Sequence, residues 1–181
     1  MRLATAADVP ALQRLIEQSV RALSAGFYTP AQIDSALRYV FGTDTRLIAD
    51  GTYYVIPATD GSLMAAGGWS RHATLYGGDQ MKGAADPLLD PATQPARIRA
   101  FFVHPAWARR GLARQLFERC AQDAQAAGFG SFELMATLPG EPLYRALGFT
   151  ELERLTTTLP DGVGLPVVRM GRPLTGKPTR A

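Results

Sequence analysis

The chain holds one cysteine and two histidines in 181 residues, and each scarcity removes a class of chemistry. Cys120 by itself can form neither an intramolecular disulfide nor a cysteine-based zinc cluster. On an apolar helix face it reads as a small buried hydrophobe. His72 and His104 leave little material for a metal site, so no metal is expected. No stretch approaches the roughly 20 apolar residues that a membrane span needs. The opening residues, Met1-Arg2-Leu3-Ala4-Thr5, lack the apolar region and cleavage site of a signal peptide. The expectation is a cytoplasmic protein with no membrane partner. Clustered basic residues are missing too: the net charge is +3, but the arginines are scattered, which argues against a nucleic-acid partner. A mildly basic surface instead suits a polyanionic small molecule.

What is present belongs to a globular protein. With 46% hydrophobic and 19% charged residues, the chain can bury a sizeable core, and its length fits one domain. That domain is expected to span 1–175, with 176–181 as a frayed tail. Val9, Leu12, Ile16, Val20 and Leu23 recur at helical spacing and predict an amphipathic helix. Thr29-Pro30-Ala31-Gln32 supplies a cap, a first-turn proline and a capping-box glutamine for a second helix, which carries Ile33, Leu37 and Val40 and stops at Gly42. Two apolar runs, from Tyr53 and from Leu63, flank Asp60-Gly61 and predict a hairpin.

Between 71 and 95 the chain is rich in Gly, Asp and Pro, an insertion expected to be either a functional lid or disordered. The strand Ile98 to Val103, a helix from about 110 to 127 ending at Gly128, and a strand near Phe132 to Met135 form a β-α-β unit with parallel strands. A short helix to Gly148 and two strands around Asp161-Gly162 close the chain. The fold class is therefore α/β, a mixed sheet of about seven strands with helices on both faces.

The chemistry concentrates where strand 98–103 turns into the following helix. A helix amino terminus offers unpaired N–H groups and partial positive charge to phosphates. Gly111 and Ala113 keep the approach open, while Arg109, Arg110 and Arg114 add charge around it. A dinucleotide fingerprint would need three glycines, and this loop has one. The segment resembles the acetyl-CoA signature of the GNAT superfamily, Gln/Arg-x-x-Gly-x-Gly/Ala, with Gly111 and Ala113 at its small positions. Ala108 stands where the signature has Gln or Arg, which removes side-chain help from that position. Downstream, Tyr144-Arg145-Ala146-Leu147-Gly148-Phe149 resembles the closing pattern of the same superfamily.

The resemblance implies an N-acetyltransferase that uses acetyl-CoA as co-substrate, acts on a small-molecule or peptide amine and can form a homodimer. It implies that Arg109, Arg110, Gly111, Leu112, Ala113 and Arg114 hold the pyrophosphate. The main chain of Phe102 and Val103 would pair with the pantetheine arm, and the Val103 N–H would receive the thioester oxygen. Tyr144 would be the proton donor to the departing thiolate. A coenzyme-binding sensor without turnover is the alternative reading.

Histone-acetylating members of the superfamily place a Glu where this chain has Arg97, so the base is open among Glu133, His72, Asp79, Asp86 and a water chain. His104 is expected to cap its turn and Trp107 to pack. By period-two alternation Arg97 and Arg99 share a strand face with Phe101 and Val103. The two arginines are expected either to grip an acceptor carboxylate or phosphate, or to pair with acids of the insertion.

Overall fold

A computed structural model describes residues 1–82 and 86–174. The tail expected at 176–181 and the centre of the 71–95 insertion lie outside the described residues. Seven strands form one sheet: β1 (Arg2–Leu3), β2 (Tyr53–Pro57), β3 (Leu63–Ser70), β4 (Ala96–Val103), β5 (Ser131–Thr137), β6 (Thr150–Thr158) and β7 (Gly164–Pro173). Their spatial order is β1-β2-β3-β4-β5-β7-β6. Only β4 and β5 run parallel; the other neighbours are antiparallel.

Helices cover both faces, as the sequence predicts. On one face lie α1 (Val9–Leu23) and α2 (Pro30–Tyr39), whose Ile16, Val20, Ile33 and Ala36 pack with Leu165 and Val167 of β7. The capping box at α2 forms as expected: Gln32 N–H donates to the Thr29 hydroxyl at 3.3 Å and Thr29 N–H to Gln32 Oε1 at 3.0 Å. A five-residue helix, α3 (Thr45–Ala49), follows and was not foreseen. Its apolar content is too short to show a period, and its signal is only the Asp44 cap, which accepts from Leu47 N–H at 3.3 Å. The opposite face carries α4 (Leu112–Ala126) and α5 (Glu141–Ala146). Leu116, Phe117, Cys120 and Ala124 of α4 are buried against Phe132, Leu134 and Ala136 of β5. No helix among the described residues is long and apolar enough to cross a membrane.

Two irregularities position the site. The parallel strands β4 and β5 pair only at Ala96–Phe132 and Arg97–Glu133 and then diverge, because β5 stays in register with β7 along its whole length while β4 follows β3. The result is a fork whose β4 edge has no strand partner. The second irregularity is a bulge: the β3–β4 register slips between Ala66 and Gly68, and Ala100 adopts φ +55°. One extra residue on β4 reverses the alternation beyond it.

Candidate active site

The bulge corrects the expected face of β4. Ala96, Ile98, Phe101 and Val103 pack on the α4 side, whereas Ala100 and Phe102 pack on the α1 side. Arg97 and Arg99 therefore do not share a face with Phe101 and Val103, because simple alternation fails across the extra residue.

Both arginines are engaged by protein groups. Arg99, 4% exposed, pairs with Asp44 at 2.9 Å and also donates to the carbonyls of Thr74, at 2.6 Å, and Gly77. Lys82 joins the same carboxylate. Arg97 lies 3.4 Å from Glu133, and burial lowers its pKa from the usual guanidinium range. Each arginine pairs with an acid, but neither acid belongs to the insertion as expected: Glu133 lies on β5 and Asp44 in the loop before α3.

The β4 edge facing the fork is polar main chain. His104 N–H donates to Met64 O on the β3 side at 2.8 Å, so the Val103 N–H points the opposite way, toward β5. There it donates to the Ser19 hydroxyl of α1 at 3.3 Å. Ser19 is a residue that sequence reading missed. Its signal was a hydroxyl on the apolar stripe of α1, four residues after Leu15 and four before Leu23. Gly67 of β3 went unnoticed as well: a Cβ there would lie 2.7 Å from the Phe101 ring, so only glycine lets that ring lie against the sheet beside Tyr144.

Beyond the fork the chain turns through Pro105–Trp107. His104 Nδ1 accepts from Ala106 N–H at 3.2 Å and so caps the turn, and Arg110 lies over the Trp107 ring at 4.8 Å. Arg109 and Gly111 both have left-handed backbone, φ +64° and +80°. The N–H groups from Arg109 to Arg114 find no protein acceptor among the described residues, the first helical bond being Gln115 N–H to Gly111 O at 3.1 Å. A Cβ at Gly111 would meet nothing within 4 Å, so the space over these amides is open. That combination of free amides and room fits a phosphate group. Arg114 reaches the carbonyl of Ala146 at 3.5 Å, linking α4 to α5.

Tyr144 of α5 is 9% exposed, its ring tilted against Phe101 and edge-on to Phe149. Burial, reinforced by the neighbouring Cys120, raises its pKa well above that of a free phenol, so it holds its proton at neutral pH. Burial likewise raises the Cys120 thiol, which is wholly inaccessible and unsuited to act as a nucleophile.

Fork, loop and α5 enclose one cavity of about 550 Å³. It is lined by Phe101, Val103, Arg109, Gly111, Leu112, Ala113 and Tyr144 among others, and on the α1 side by Val20, Phe41, Phe102, Tyr76 and Leu165. None of the four acid–base candidates lines it. Glu133 accepts from Arg169 at 2.7 Å. His72 sits between Asp50, at 3.1 Å, and the carbonyl of Asp86, at 2.9 Å. Asp79 accepts from the first amide of α3, Thr45 N–H, at 3.0 Å. Asp86 accepts from Thr74 N–H at 2.8 Å; burial pushes its carboxyl up, but the Thr74 hydrogen bonds with His72 and Arg46 outweigh this and hold it below the usual range. No Asp, Glu, His or Lys among the described residues lines the cavity, and no group of three or more metal-ligating side chains occurs among them.

Residues 64–170 match the family model of the acetyltransferase (GNAT) domain. No curated protein matches. Among solved structures, a GCN5-related N-acetyltransferase of Rhodopseudomonas palustris superposes with a TM-score of 0.66 at 17% identity, covering 96% of this chain and 98% of the other. The paiA N-acetyltransferase of Thermoplasma acidophilum, in complex with coenzyme A, gives 0.62 at 12% identity over 95% and 96% of the two chains. The yncA protein of Salmonella typhimurium, described as a putative acetyltransferase with its cofactor acetyl-CoA, gives 0.61 at 18% over 99% and 96%. At such identities the superpositions establish a shared fold, while the family model spans more than half of the sequence, and on that ground the chain belongs to the GNAT acetyltransferase family.

Proposed function

We propose that the protein transfers an acetyl group from acetyl-CoA to a primary amine by direct attack in a ternary complex. The observation that carries this reading is the β4–β5 fork, where an unpaired strand edge leads from the Val103 N–H to the open amides at the start of α4. The amides of residues 109–114, with the Arg109 and Arg110 side chains nearby, would hold the pyrophosphate. The β4 edge at Phe102 and Val103 would bond the pantetheine arm as an added strand. Structures of the same fold hold coenzyme A or acetyl-CoA, which supports acetyl-CoA as the co-substrate.

In the reaction the amine nitrogen bonds to the thioester carbon and the carbon–sulfur bond breaks. The amine gives up a proton, and the departing thiolate takes one. The Val103 N–H is aimed where the carbonyl oxygen gains charge, once the Ser19 hydroxyl yields its place. Tyr144 supplies the proton to sulfur, and the proton shed by the amine nitrogen returns through water to the phenolate. Transfer from a phenol to a thiolate is uphill by about 2 kcal/mol on ordinary pKa values and by more for Tyr144, whose pKa burial raises, so its hydroxyl acts first by hydrogen bonding and only then as an acid. With the Cys120 thiol buried and protonated, a covalent acyl-enzyme has no nucleophile there. The lack of a base on the cavity wall favours one competing reading, a coenzyme sensor without turnover.

Release of free thiol from acetyl-CoA, followed with a panel of primary amines, decides between the two. Acetyl-CoA is also expected to raise the melting temperature, since it binds the folded chain. Gly111→Glu, which puts bulk and negative charge over the open amides, should abolish that rise. Wild-type coenzyme affinity in this variant would place the coenzyme elsewhere.

A further inference from the structure

The α1 side of the cavity has a composition that restricts what can enter. Its wall includes Val20, Phe27, Phe41, Tyr76, Phe102 and Leu165, with the hydroxyls of Ser19, Ser24 and Thr157 among them. Among the described lining residues the charged side chains are Arg109, at the mouth by α4, and Arg99. Both terminal nitrogens of Arg99 already donate to Asp44 or to the carbonyls of Thr74 and Gly77. An acceptor carboxylate would have to compete with that buried ion pair. A second ammonium would meet no negative group among the described lining residues. Phe27 is 51% exposed, an aromatic on the rim that the described residues leave half uncovered.

Building on the acetyltransfer reading, we infer that this half of the cavity takes a primary amine borne on an uncharged aromatic body. The wall lies on the sheet face opposite α4, so the end that suits phosphates and the end that suits an apolar group are separate. The aromatic rings of Phe27, Phe41, Tyr76 and Phe102 can pack edge-on or offset against an arene. The same wall bears on the missing base. An ammonium moved into an apolar cavity loses hydration without gaining a counter-charge, and this favours the neutral amine. The neutral amine is the nucleophile, so desolvation supplies the reactive form, while the proton that nitrogen sheds on attack leaves through water.

The test compares three primary amines: 2-phenylethylamine, phenylalanine, which adds a carboxylate, and pentane-1,5-diamine, which adds a cation. Thiol release from acetyl-CoA gives kcat/KM, and calorimetry on the protein loaded with coenzyme A gives binding. The aromatic amine should exceed both charged ones in kcat/KM by at least about tenfold. Phe27→Glu places a carboxylate on the exposed rim without disturbing the core, and should shift preference several-fold toward the diamine at unchanged acetyl-CoA affinity. If 2-phenylethylamine binds best but releases no thiol, the inferred acceptor class stands and the transfer reading falls. If either charged amine is turned over best, transfer stands and the inference is overturned. Failure of all three amines to bind overturns it too. So does a marked preference for hexanoyl-CoA over acetyl-CoA with no discrimination among amines, because the wall would then hold the acyl chain.

Discussion

The phenol of Tyr144 sits among the rings of Phe101 and Phe149 in a cavity with no acid among its described lining residues. Removing its oxygen should therefore change chemistry more than packing. Tyr144→Phe is expected to lower kcat by about 10- to 100-fold, the range of positioned acid catalysis, while coenzyme affinity stays constant. Pre-steady-state thiol release would check this, and an unchanged chemical rate would leave the ring a packing role only. The buried Arg99–Asp44 pair makes a different demand. Deleting one partner strands the other charge in the interior, so Asp44→Ala should cost about 3–5 kcal/mol in urea unfolding. Sequence alone singled out Arg99 but could not supply its partner, because Asp44 lies 55 positions away in a loop with no period or motif. Tyr144 and Gly111 were legible for the opposite reason: each belongs to a short pattern with a fixed local consequence.

Among the elements, the stretch after β3 forms a wall whose described part is tied down. Gly78 N–H donates to Val40 O at 2.8 Å, Asp79 N–H to Thr43 O at 3.0 Å, and Leu75 to Gly78 line the cavity. A Cβ at Gly78 would lie 2.8 Å from the Gly42 main chain. Gly78→Ala should thus push this wall outward, raising KM for the acceptor with acetyl-CoA affinity unaffected; titrating each substrate separately distinguishes the two. Equal affinity for the acceptor would remove the 75–78 stretch from that site.

Helices α1, α2 and α4 were readable because each buries one stripe at a steady 3.6-residue period. The fork and the bulge were not. Divergence of β4 from β5 depends on which strand β5 prefers as a neighbour, and a positive φ at Ala100 leaves no trace in residue type. That single extra residue also explains why the face of Arg97 and Arg99 was misassigned while the identity of the strand was right.

At the scale of the molecule, tyrosines pin separate parts of the fold together, and their ionisation should govern its alkaline limit. Tyr28 donates to Pro166 O at 2.7 Å and accepts from Leu138 N–H at 2.9 Å, joining the loop before α2 to β7 and to the end of β5. Tyr54 of β2 hydrogen-bonds Asp123 of α4. Tyr53 is wholly buried beneath α1 and α3, and Tyr144 lines the cavity. Burial is the leading cause that raises all four: Tyr54 is pushed up to about 12, with Asp123 adding to the effect, and the other three also rise above the ordinary phenol value.

In the unfolded chain these phenols release their protons near pH 10, whereas the folded chain still holds them. The folded state then binds more protons than the unfolded one, so stability must fall as pH rises. Their contribution is complete below about pH 10 and is lost as pH climbs through the folded values, around 12 for Tyr54. Urea midpoints measured from pH 8 to 11 should stay level at first and then drop. Phenolate absorbance should appear with unfolding rather than ahead of it. Tyr54→Phe should flatten part of that decline, because it removes one of the protons that folding retains. A midpoint constant through pH 11, or four phenols titrating normally in a folded chain, would mean that water reaches these rings and that the packing across the two faces is looser than described.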